Sequence, residues 1–92
     1  MKAAKLQALS TPAPPSMVNG SQIRAARAWL NLSREDLSRD SHVAVRTIAT
    51  IESGQSVTPR TLADIERALR ARGIDFIFEN GRPAGIRGPS EE

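Results

Sequence analysis

A mainly α fold, four helices followed by a C-terminal β-strand, is predicted by three observations. Apolar residues recur at helical spacing between residues 21 and 72. Capping and stop residues cut that stretch into four segments. After Gly73 the period changes, and "IDFIF", residues 74–78, is β-branched and aromatic in the manner of a strand.

The first helix is expected from about Ser21 to Leu30. Ile23, Ala26, Arg27 and Leu30 fall on one face, Gly20 or Ser21 caps the start, and Asn31 tolerates the left-handed stop. Ser33 opens the second helix, with Asp36 completing a near capping box and Leu37 pointing inward. Glu35 and Asp36 suit the positive end of its macrodipole, and it ends near Asp40. The turn "DSHV" leads to a third helix from about Ala44 to Ser53, with Val43, Ile48 and Ile51 inward and Gly54 as its stop. The fourth helix is the best marked. Thr58 caps it, Pro59 takes the first position and Gly73 closes it, while Leu62, Ile65, Ala68 and Leu69 keep the period. Beyond the strand, "ENG" carries an Asn-Gly turn and "AGIRG" is a weak candidate for a returning strand.

Composition narrows the function. At 92 residues the chain allows one small domain and some tail. There are no cysteines and only His42 among the histidines, so thiolate metal sites, disulfide scaffolds and Cys nucleophiles are excluded and no cofactor is expected. No apolar run is long enough for a membrane span. "MKAAKLQALSTPAPPS" lacks the apolar run of a signal peptide and reads, through Pro12, Pro14 and Pro15, as an extended tail to about residue 20. The formal net charge is +3, and every basic residue except Lys2 and Lys5 is an arginine. Arginine suits phosphates, carboxylates and guanine edges, which points to a polyanionic partner. Nothing in the sequence resembles a nucleophile-base pair, a phosphate loop or a metal cluster, and no enzymatic activity is expected.

The third helix poses the functional question. Val45, Arg46, Ala49 and Thr50 share a face that mixes charge with apolar groups and fits no core. Two short helices joined by a tight turn within a helical cluster form a helix-turn-helix pattern. The runs "IRAARAWLNLSREDLS", "VAVRTIATIESG" and "TPRTLADIERAL" carry a specific resemblance. In the spacing of Arg27, Leu30, Leu32-Ser33, Leu37, Val43, Thr47-Ile48, Ile51-Glu52, Gly54 and Leu62, residues 21–72 resemble the lambda-repressor and Cro type of helix-turn-helix, the xenobiotic-response-element family. Two positions depart from it: His42 stands where the family has glycine, and Ala44 where it has a polar cap.

The resemblance implies that residues 21–72 are a DNA-binding domain whose third helix, about 44–53, enters the major groove. It implies base reading by Ala44, Val45, Arg46, Ala49 and Thr50, and phosphate contacts by Arg34, Ser53, Gln55, Thr58 and Arg60. It also implies an internal ion pair between Arg27 and Glu52. A guanine edge accepts a bidentate arginine, and thymine methyls accept Val45 and the Thr50 methyl. The implied function is sequence-specific double-stranded DNA binding in transcription regulation, in the cytoplasm and at the nucleoid. The alternatives are an antitoxin that represses its own operon, with a toxin as protein partner, and an interaction adaptor that no longer binds DNA.

Residues 73–92 are read as strand and tail. Ile74, Phe76 and Phe78 would share one strand face, with Ile77 on the other. A lone apolar strand is a liability that pairing removes. These four residues are therefore expected at a homodimer interface, the alternative being a hairpin within one chain through Asn80-Gly81.

Overall fold

The computed structural model describes residues 17–90. Four helices and a hairpin follow one another: α1 (Gly20–Leu30), α2 (Arg34–Ser41), α3 (Val45–Glu52), α4 (Pro59–Ala71), β1 (Asp75–Glu79) and β2 (Arg82–Arg87). The tail expected at residues 1–20, including Lys2, Lys5 and its prolines, lies outside the described residues as far as residue 16. Val18, by contrast, is buried in the core, so the folded body starts before residue 20.

Helix α1 starts one residue earlier than its periodicity suggests, and its cap is Asn19 rather than Gly20 or Ser21. The Asn19 side chain accepts from the Gln22 N–H at 2.9 Å, and the Gln22 side chain accepts from the Asn19 N–H at 3.1 Å. This reciprocal box satisfies two backbone donors at a helix start. The helix ends at Asn31, whose φ of 59° is left-handed. Ser33 and Asp36 form a second capping box on α2, and Leu37 is fully buried. That helix runs to Ser41, whose hydroxyl donates to the Leu37 carbonyl, and stops at His42 with a φ of 64°. Helix α3 starts after Ala44 with no side-chain cap, as alanine requires. On α4, Thr58 accepts from the Thr61 N–H and Pro59 occupies the first position.

The helices surround one core, in which Ile23, Leu37, Ile48, Ile65, Leu69 and Ile74 are the largest fully buried side chains. Gly20 has a specific place here. A Cβ on it would lie 2.0 Å from the Ile51 carbonyl oxygen, so the start of α1 packs backbone to backbone against the end of α3.

The C-terminal segment is a two-stranded antiparallel hairpin, with Asp75 opposite Arg87 and Phe76 opposite Ile86. Asn80 and Gly81 take φ values of 53° and 78°, the conformation that a two-residue hairpin loop demands. The register shifts after Ile77, which pairs with Gly85, because Phe78 pairs with Pro83 and leaves Ala84 as an extra residue. Such a bulge admits a proline to a strand.

The hairpin changes the reason for expecting a partner. Ile74 and Phe76 are buried in the chain's own core, and the Arg70 guanidinium lies 5.5 Å from the Phe76 ring centroid. Ile77 and Phe78 are half-buried. Ile74 and Phe76 are covered from within the chain, so covering them does not require a second subunit.

Candidate nucleic-acid interface

Helix α3 divides cleanly. Ile48 and Ile51 turn into the core with the buried Val43 just before the helix. Ala44 and Arg46 are exposed, and Val45, Ala49 and Thr50 are half-exposed. The structure therefore brings the five residues expected to read bases onto the side of α3 that the core leaves free. Among the described residues, the Arg46 guanidinium has no hydrogen-bond or ion-pair partner. The Thr50 hydroxyl donates back to the Arg46 carbonyl at 3.0 Å. That bond occupies the polar atom and leaves the methyl for apolar contact.

The far end of α3 is held by arginines. Arg27 donates from Nε and Nη2 to the two carboxylate oxygens of Glu52, at 2.7 and 2.9 Å. Its Nη1 donates to the Leu32 carbonyl at 2.9 Å. Arg24 donates to the Glu52 backbone carbonyl at 2.7 Å, which satisfies an acceptor at the helix end. Arg34, expected to be a phosphate contact alone, also donates from Nε to Glu52 at 3.1 Å. Burial pushes the Glu52 carboxyl up, but hydrogen bonds from Arg27 and Arg34 outweigh it and hold the carboxyl below its ordinary range. The Glu52 carboxylate in turn raises Arg27. Glu52 is thus a structural acid, ionised and fully engaged.

The other expected phosphate contacts lie around the α3–α4 connection. Ser53 donates its hydroxyl to the Thr50 carbonyl at 2.7 Å, and Gln55 is exposed. Thr58 caps α4. Arg60, in the first turn of that helix, is exposed and has no side-chain partner among the described residues. Ser53 and Gln55 line an open groove of about 600 Å³ together with Ser21 and Arg24. The contribution of Arg24 escapes sequence reading because it sits beside the inward stripe of α1, where an arginine reads as solvated.

No group of acidic, histidine or cysteine residues among the described residues could hold a metal ion. No described helix is long and apolar enough to cross a membrane. A comparison with curated proteins found no match. A family model described as "Helix-turn-helix" matches residues 23–77, from the first turn of α1 into β1. That span exceeds half of the 92-residue sequence and covers α2, α3, α4 and most of α1. The chain belongs to the lambda-repressor-like, Cro/CI-type helix-turn-helix family of DNA-binding regulators.

Proposed function

We propose that the protein is a sequence-specific regulator of transcription that places α3 in the major groove of double-stranded DNA. The observation that carries this reading is the free face of α3: an Arg46 without a partner among the described residues, flanked by Val45, Ala49 and Thr50, on a helix whose other side is fixed in the core. Arg46 pairs with a guanine edge. Val45 and the Thr50 methyl meet thymine methyls, and Ala44 and Ala49 let the backbone approach. Arg60 and Gln55, with the Thr58 hydroxyl, contact phosphates that set the register of α3, and Ser53 joins them by turning its hydroxyl from the Thr50 carbonyl to a phosphate oxygen. The start of α4 presents backbone N–H groups to the same strand.

The protein works as a homodimer on two half-sites about one helical turn, ~34 Å, apart. In support, β1 pairs on one side only among the described residues, and Ile77 and Phe78 remain half-exposed beside that edge. Ile77→Asp is the appropriate probe, because Ile74 and Phe76 serve the core. It should shift the mass in solution toward monomer while leaving the helical spectrum intact; an unchanged mass removes this edge from the interface.

Mapping of genomic sites with the purified protein tests the function. The expected result is a short motif with two-fold symmetry. Binding spread evenly over sequence, or absent, rejects the reading in favour of an interaction adaptor.

A further inference from the structure

Glu52 holds more than the fold together. We infer that Glu52 is a positioning residue for the DNA backbone contact, acting through Arg34. The inference rests on the DNA-binding reading and adds to it the means by which one contact is oriented. Arg34 is the first residue of α2, and its Nε is bound to the Glu52 carboxylate at 3.1 Å. Neither Nη group of Arg34 has a partner among the described residues. A guanidinium is planar, so fixing its Nε edge fixes the direction of the other edge, where the two Nη groups match two oxygens of one phosphate.

Arg27 cannot serve this purpose. All three of its nitrogens are used, on Glu52 and on the Leu32 carbonyl, and its side chain is only 17% exposed. The Arg34 side chain is 42% exposed. The charges divide the same way: Arg27 matches the single charge of Glu52, and the charge of Arg34 is left over. Glu35 and Asp36 occupy the same first turn of α2. Undirected attraction of phosphate to that turn is therefore weak, and a directed Nη pair is what overcomes the local acids. Because Glu52 is the last residue of α3, the clamp on the backbone and the seat of the recognition helix share one carboxylate.

The test measures affinity for a random-sequence DNA duplex, with salt varied from about 50 to 200 mM. Wild type is compared with Arg34→Lys, Arg34→Ala and Glu52→Gln, each checked for folding by circular dichroism. Arg34→Ala should bind more weakly and flatten the logarithmic salt slope by about 0.9, one phosphate. Arg34→Lys keeps the charge and the Arg27–Glu52 pair but loses the fixed fork, and should bind about tenfold more weakly. Glu52→Gln removes a negative charge, which by simple attraction would tighten binding; positioning predicts weaker binding instead. Where Glu52→Gln does not fold, Arg34→Lys decides. Arg34→Lys equal to wild type, a tighter-binding Glu52→Gln, or an unchanged slope in Arg34→Ala overturns the inference while leaving the regulator reading intact. Wild type that binds no duplex overturns both.

Discussion

His42→Gly should make the protein more stable, and the structure gives the size of the gain. His42 ends α2 with φ 64° and ψ 27°, in the left-handed region. A side chain there crowds the following carbonyl at a cost of about 1–2 kcal/mol. Its N–H donates to the Ser38 carbonyl at 2.8 Å, a bond that glycine keeps. The imidazole is exposed and has no hydrogen-bond or ion-pair partner among the described residues, so its removal forfeits no such bond there. Against the relief stands the greater freedom of glycine in the unfolded chain, about 0.4–1 kcal/mol. The net gain is about 0.5–1 kcal/mol, a Tm increase of roughly 2–8 °C for a domain of this size. Thermal unfolding followed by circular dichroism measures it, and urea midpoints at constant m-value supply a check. Asn31 is an internal control. It takes φ 59°, but asparagine tolerates that conformation, so Asn31→Gly should gain less. A lower Tm for His42→Gly, or an equal gain at both positions, would refute the argument that the histidine turn is strained.

Gly20→Ala should destabilise by about 2–3 kcal/mol in thermal unfolding, because the added Cβ would meet the Ile51 carbonyl oxygen at 2.0 Å. Helix propensity alone predicts the opposite sign, a gain of about 1 kcal/mol, so the direction decides whether the backbone contact is real. Ala44→Ser supplies the missing cap of α3 and should add about 1 kcal/mol in the same assay; no gain would mean that the start of α3 does not adopt a capped geometry. Acid should destabilise the fold through Glu52. Its folded-state carboxyl lies below the ordinary value. The unfolded state thus takes up the proton first as pH falls. The stabilisation is complete above the ordinary carboxylate range and is lost as pH drops through the lower folded value. Tm measured against pH should show this acid limb, and a folded Glu52→Gln variant that kept it in full would move its origin elsewhere.

The parts of the fold written in local signals were legible from the sequence. Ser33 with Asp36, and Thr58 with Pro59 and Gly73, act over one helical turn, so reading neighbours suffices to find them. The inward residues Ile48, Ile51, Ile65 and Leu69 follow from periodicity alone. What escaped depends on contacts between distant segments. Gln22 reads as an ordinary polar helix residue, yet it is buried and donates to the carbonyls of Ile77 and Gly85, 3.0 and 2.9 Å away, tying α1 to the hairpin. Gly20 reads as a cap candidate because nothing local shows how closely the end of α3 approaches. The hairpin had a clear Asn-Gly turn, but Pro83 and the flanking glycines obscured its second strand until the bulge at Ala84 accounted for them. In the site, the mixed face of α3 was visible as a departure from core patterning. The second arginine on the Glu52 carboxylate was not, since Arg34 meets it only once α2 and α3 pack.

The central claim is that α3 reads base sequence through Arg46. Selection of bound duplexes from a randomised library, with wild type and Arg46→Ala in parallel, tests it most directly. Wild type should select a defined motif. Arg46→Ala should lose preference at a guanine position, by about 1–3 kcal/mol, with little change in salt slope. An identical motif from both proteins, or no motif from wild type, would contradict it.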